Sequence, residues 1–155
     1  MIFSVKLEKT LKILIFLGLL ALVFIVYSQK IEFNSVDLGR HLANGKVVWQ
    51  DKDILFKNSY SYTEPDTSFI NHHWLGGVIF YVVYLLGGFK LLTVFNLLIA
   101  ILIFVLTFNF SRRQTGFYFS AILALPVIFL LSERVEVRPE IFSYLFIILT
   151  WLIID

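Results

Sequence analysis

Residues 89–110 read FKLLTVFNLLIAILIFVLTFNF, a run of 22 residues whose one charged side chain, Lys90, lies at its edge. Such a run is long enough to cross the hydrocarbon core of a bilayer as an α-helix. The whole chain has a matching composition, because 59% of its 155 residues are hydrophobic and 15% are charged, against about 25% charged in soluble domains. The sequence therefore predicts an all-α integral membrane protein and not a soluble or disordered chain.

Three further apolar runs cover residues 11–27, 117–131 and 141–155, so we expect about four transmembrane helices in a single membrane domain. The first run follows several lysines, as in a signal peptide, but residues 27–30 read YSQK, which is a poor cleavage site. We therefore interpret it as an uncleaved anchor. The last run meets the end of the sequence without a polar flank, so we expect the chain to be the N-terminal part of a longer protein.

The segment between the first two spans, residues 28–88, contains two shorter amphipathic or apolar stretches. Residues 36–50 read VDLGRHLANGKVVWQ and predict a helix on the membrane surface that Gly45 interrupts or bends. Residues 74–86 are apolar but too short to cross alone. They form either an interface or re-entrant helix, which we favour, or the start of a kinked helix that continues into the next span.

Lysines and arginines near the spans predict the orientation. Three lysines precede or open the first span, and the short turn at residues 111–114 contains two arginines. Because cytoplasmic flanks are enriched in these residues, we expect the N-terminus and this turn to be cytoplasmic. The segments 28–88 and 132–140 would then be extracytoplasmic.

The charge and cysteine content exclude several classes of function. The net charge is +2 without a dense basic patch, so we predict no nucleic-acid partner. The chain has no cysteine, which excludes a thiolate nucleophile and a cysteine-based metal site.

The outer segments contain two charged clusters. Asp37, Arg40 and His41 would share one face of a helix, and they form either a catalytic or phosphate-binding cluster or, as spacing alone favours, a helix cap with a surface ion pair. Adjacent histidines on a helix point in different directions, so we predict that His72 and His73 are interface histidines beside Trp74; a zinc site would need ligands from other segments.

The second outer cluster is the stretch ERVEVRPE at residues 133–140. Its charges are either simple flanks of the spans or a binding surface for anionic head groups, in which Arg138 would bind phosphate. Pro139 fits the first turn of the next helix, and Glu140 would lie near its positive end.

Four motifs follow one another along the chain: DLGRHLANG at 37–45, SYSYT at 59–63, NHHWL at 71–75 and RPEIFSY at 138–144. In order and spacing they resemble the N-terminal part of the bacterial C-type membrane glycosyltransferases, the GT-C superfamily, over residues 37–155. The resemblance implies transfer of a sugar from a polyprenyl-phosphate-linked donor to a glycan, lipid or protein acceptor. It also implies a multi-pass protein of the bacterial cytoplasmic (inner) membrane, surrounded by membrane lipids.

The resemblance further implies roles for individual residues. Asp37 stands where the family has an essential acid, and it would act as the catalytic base. The predicted substrate-binding residues are Arg40, His41, Tyr62, His72, His73, Trp74, Arg138 and Glu140. The need for a cofactor is left open: a divalent cation is compatible with the reaction, but the sequence has no strong metal-binding motif.

Two departures from the family pattern favour an alternative function. His73 stands where an acid is often found, and Gly39 stands where a tryptophan is often found. They are compatible with a non-catalytic membrane scaffold or assembly protein that retains the fold. A third hypothesis, a small transporter component, rests only on charges at the span ends and lacks a charged residue inside a span.

Overall fold

The computed structural model describes residues 2–28, 36–56, 62–63, 67, 73–132 and 135–155. Every regular element in these ranges is helical, which confirms the all-α prediction. In order, they are α1 (Ile2–Tyr27), α2 (Val36–Gln50), a 3-10 helix (Lys52–Phe56), α3 (Trp74–Thr115), α4 (Phe117–Ser132) and α5 (Glu140–Ile154).

Two of the described helices are long and apolar enough to cross a bilayer: Val5–Tyr27 within α1, with 23 residues, and Trp74–Thr115, with 42 residues. The helices α4 and α5 are also apolar but have 16 and 15 residues. Large apolar side chains are exposed along these helices, among them Leu14 at 61% and Phe129 at 68%. Apolar surface of this extent is typical of contact with lipid or a partner, so length, composition and exposure together indicate a membrane protein.

The helix ends have local causes. The helix α1 begins at Ile2, well before residue 11, and Glu8 and Lys12 form an ion pair of 2.6 Å that supports its first half. The helix α3 continues past residue 110 to Thr115. It ends at Gly116, whose φ of +83° is the left-handed conformation that glycine supplies at helix C-termini.

A break divides α3 after its first 13 residues. Gly87 (φ −160°, ψ 18°) and Gly88 (φ 62°, ψ −155°) leave the helical region, and the positive φ at Gly88 is accessible to glycine at low cost. Residues 74–86 and 89–115 are therefore two helices joined through this pair. That residues 74–86 lie along the membrane interface stays a prediction.

The chain forms two compact units. The first contains α1, α3 from Asn96 onward, α4, and α5 from Ser143 onward. Its core is aliphatic and aromatic, and the Phe16 ring lies 5.0 Å from the Phe108 ring. Small hydroxyl side chains also meet inside it, since the Ser111 and Ser120 Oγ atoms are 2.9 Å apart.

The second unit contains α2, the 3-10 helix, α3 up to Phe95, and residues 136–142. Here the backbones of α2 and α3 approach closely, because a side chain added at Gly45 would overlap the Gly77 carbonyl oxygen. Close to this contact the Phe80 side chain is fully buried, with its ring 5.6 Å from that of Phe142. The close approach fixes α2 against α3 and so positions the polar residues at the start of α2.

Candidate functional site

Charged side chains come together at the start of α2, in the second unit. Asp37 lies in the first turn of α2, where the partial positive charge of a helix N-terminus favours a carboxylate. Its Oδ1 lies 3.2 Å from Arg40 Nη2, and its Oδ2 lies 3.3 Å from Arg138 Nη2. The Asp37 side chain is 35% exposed, so the carboxylate is open to solvent between two guanidinium groups.

A second carboxylate, that of Glu136, holds Arg138. Glu136 Oε2 accepts a hydrogen bond of 2.6 Å from Arg138 Nε and also pairs with Nη2. Val137, which lies between these two residues in the sequence, is buried, while Glu136 and Arg138 are not. The hydrogen bond that Arg138 donates to Glu136 is the main cause of the raised pKa of Arg138.

His41 lies one turn after Asp37 and is buried, with 7% of its surface exposed. Burial lowers the pKa of its imidazole below the usual 6.5, and the charge of Arg40 lowers that pKa further. The carboxylates of Asp37 and Glu140 raise it by smaller amounts, and His73 lowers it slightly. The net lowering makes the His41 ring neutral at pH 7, unlike the charged groups beside it.

The lowered pKa of His41 predicts a pH-dependent stability. The unfolded chain binds a proton at His41 more readily than the folded protein, so stability is complete above the unfolded pKa of 6.5. Stability falls as the pH drops from 6.5 towards the folded pKa and then levels off. The measurement is the thermal unfolding midpoint in detergent between about pH 7.5 and about pH 5. We expect this midpoint to fall less with decreasing pH in His41→Gln than in the native protein. The same slope in the variant and the native protein would contradict the assignment.

The other predicted site residues occupy varied positions. His73 and Trp74 stand exposed at the start of α3, and Glu140 is exposed in the first turn of α5. Tyr62 is fully exposed, and His72 lies outside the described residues. The exposed aromatic rings are available to a ligand or to the membrane interface.

No group of three or more His, Asp or Glu side chains in the described ranges could hold a metal ion. Among the described residues, Asp37 instead forms ion pairs with the guanidinium groups of Arg40 and Arg138. A divalent cation as cofactor stays open as a prediction.

Reasoning from the sequence missed two features of this site. Glu136 was not among the predicted site residues, although it lies only two positions before Arg138 in the same charged stretch. Gly45 was expected to interrupt or bend α2, but the helix runs through it to Gln50. Gly45 instead allows the backbone of α3 at Gly77 to lie close to α2. The sequence of α2 alone does not indicate that Gly77 is its contact.

The arrangement combines a proton acceptor with two groups that bind oxyanions. A carboxylate at a solvent-open position can take a proton from a hydroxyl group, and guanidinium groups bind phosphate through paired hydrogen bonds. Comparisons of the chain with known protein families, curated proteins and solved structures find no match.

Proposed function

We propose that the protein is a membrane glycosyltransferase, or the N-terminal part of one, of the GT-C type. It would transfer a sugar from a polyprenyl-phosphate-linked donor to a glycan, lipid or protein acceptor. The observation that carries the proposal is the Asp37 carboxylate, bound at one oxygen by Arg40 and at the other by Arg138. The motif order that resembles the GT-C superfamily supports the choice of substrate class.

Each group has a chemical task in this proposal. The acceptor hydroxyl gives its proton to Asp37 while its oxygen forms a bond to the anomeric carbon of the sugar. The bond between that carbon and the phosphate oxygen breaks, and the lipid phosphate leaves with the electron pair. Arg40 and Arg138 stabilise the developing negative charge on the phosphate.

The membrane arrangement is part of the same proposal. The four apolar runs would form four spans in the bacterial cytoplasmic membrane, with the N-terminus and the C-terminal end of α3, at Arg112 and Arg113, on the cytoplasmic side. Residues 28–88 and the stretch around Arg138 would then face outwards. A donor with an apolar tail and a polar head suits a site beside a membrane surface.

The role of Arg138 is tested by Arg138→Gln in the full-length protein. We expect sugar transfer in isolated membranes to fall about 100-fold or more in kcat, as when a donor to a developing oxyanion is removed. Arg138→Lys should restore only part of the rate, because lysine keeps the charge without the fork of two donors. Lys52→Gln, at an exposed position of the 3-10 helix, serves as the control. Equal activity of Arg138→Gln and the control would count against the proposal.

A non-catalytic scaffold is the second candidate, and one observation favours it. Both oxygens of Asp37 are engaged, and Glu136 also holds Arg138, so the cluster ties residues 136–138 to α2 as a structural clamp would. A scaffold predicts that the purified protein does not bind a polyprenyl-phosphate-linked sugar. The enzyme predicts saturable binding that Arg138→Gln weakens.

A further inference from the structure

The first unit contains a groove of about 520 Å³ between the second part of α3, α4 and α5. Its wall is apolar apart from a few hydroxyl groups, and it extends along α4 from Ser120 to Leu131. At 1.5 Å per residue this stretch of helix is about 17 Å long. That is close to half of a hydrocarbon core of about 30 Å, so the groove has the depth of one leaflet.

The groove is open along one side. Three of the side chains that line it, Leu123, Ile147 and Trp151, have exposed apolar surface. In a membrane this surface faces hydrocarbon. The shape therefore suits an extended apolar chain that lies between the helices.

One end of the groove is lined by polar side chains, and two arginines follow it directly in the sequence. Ser111 and Ser120 line this end, and their Oγ atoms form a hydrogen bond of 2.9 Å. Arg112 and Arg113 follow Ser111 directly in the last turn of α3, and both are exposed. Gln114 Nε2 donates a hydrogen bond to Asp155 Oδ1, with 2.8 Å between the two atoms. Within the described part of the chain, neither guanidinium group forms an ion pair.

We propose that the groove binds one acyl chain of an anionic phospholipid, whose phosphate is bound by Arg112 and Arg113. The apolar wall accounts for the chain, and the two cations account for the sign of the head group. Basic residues at the ends of grooves between membrane helices commonly bind anionic head groups. The proposal depends on membrane insertion of this unit and is independent of the glycosyltransferase proposal, because it uses none of the residues around Asp37.

The head-group half of the proposal is tested on the purified full-length protein. The protein is placed in nanodiscs of equimolar phosphatidylglycerol and phosphatidylcholine, and native mass spectrometry counts the lipids that stay bound. We expect one retained phosphatidylglycerol. The double variant Arg112→Gln/Arg113→Gln should lower the preference for phosphatidylglycerol on the order of 30-fold, as removal of two surface cations does.

A matched charge control separates a site from general attraction. The double variant Lys6→Gln/Lys9→Gln removes the same charge from exposed positions of α1, and we expect it to keep the preference. Equal loss in both double variants would overturn the proposal. Equal retention of the two lipids by the native protein would also overturn it.

The acyl-chain half is tested by filling the groove. Val127 lines the groove and Ile122 does not, although both lie exposed on α4. We expect Val127→Phe to abolish the retained lipid and Ile122→Phe to leave it bound. Retention in both variants would overturn the proposal.

The remaining possibility is that the groove is filled by a segment of another protein chain, which a cysteine cross-linking experiment tests. The native sequence has no cysteine, so Val127→Cys provides a unique thiol in the groove. A disulfide-linked dimer of this variant would assign the groove to a second copy. Either this dimer or a native protein that retains no lipid at all would overturn the proposal that the groove binds lipid.

Discussion

Asp37→Asn in the full-length protein should lower the rate of sugar transfer about 10²- to 10⁴-fold, the usual contribution of a positioned general base. Asparagine has nearly the same shape but cannot take the proton of the acceptor hydroxyl group. The effect should appear mainly in kcat, measured in isolated membranes with a radiolabelled polyprenyl-phosphate-linked sugar. Asp37→Glu retains a carboxylate at a shifted position, and we expect it to recover part of the rate.

The same substitution also removes two ion pairs, so the assay needs a structural control. Asp37 is the partner of Arg40 and Arg138, and Asp37→Asn therefore weakens the second unit by a small amount. Asp53→Asn, at an exposed acid of the 3-10 helix, removes the same charge and should leave transfer unchanged. A well-folded Asp37→Asn variant with full activity would exclude Asp37 as the base.

The second large effect is expected from Gly45→Ala, which should lower the free energy of unfolding by about 1–3 kcal/mol or more. A methyl group at this position would overlap the carbonyl group of Gly77. Because the obstacle is backbone and not the end of a flexible side chain, α2 and α3 must move apart, and overpacking of this kind costs about 1–3 kcal/mol or more. The measurement is chemical or thermal unfolding of the purified protein in detergent.

Gly39→Ala is the matched control in the same helix. A methyl group at Gly39 meets no atom within 4 Å, and alanine favours a helix over glycine by up to about 1 kcal/mol. We therefore expect Gly39→Ala to be neutral or slightly stabilising. Equal stability of the two alanine variants would mean that α2 and α3 do not approach each other as closely as described.

The helices were the most predictable part of the fold. The run at residues 117–131 differs by one residue from α4, which is Phe117–Ser132. In a membrane the backbone polar groups have to be hydrogen-bonded within the protein, and a helix achieves this within a single segment, so a long apolar run favours a helix locally. The start of α1 was less predictable, because the helix continues to Ile2 through a polar stretch that has no apolar run to mark it.

The candidate site was predictable only in part. The spacing of Asp37 and Arg40 along one helix predicts their ion pair, and the pair is present. The contact of Asp37 with Arg138 joins residues that are about 100 positions apart in the sequence. Local spacing and periodicity do not predict contacts between residues so far apart. Both residues were candidates from their charged clusters and from the family resemblance, but only the folded chain brings their side chains to 3.3 Å.

The unequal lengths of α1 and α4 have a consequence for the surrounding bilayer. The two helices pack against each other within the first unit. The candidate span of α1 has 23 residues and α4 has 16, which correspond to about 35 Å and about 24 Å at 1.5 Å per residue. If both helices span a hydrocarbon core of about 30 Å, α1 has to tilt while the lipid beside α4 thins. Such hydrophobic mismatch would make the stability of this unit depend on acyl-chain length.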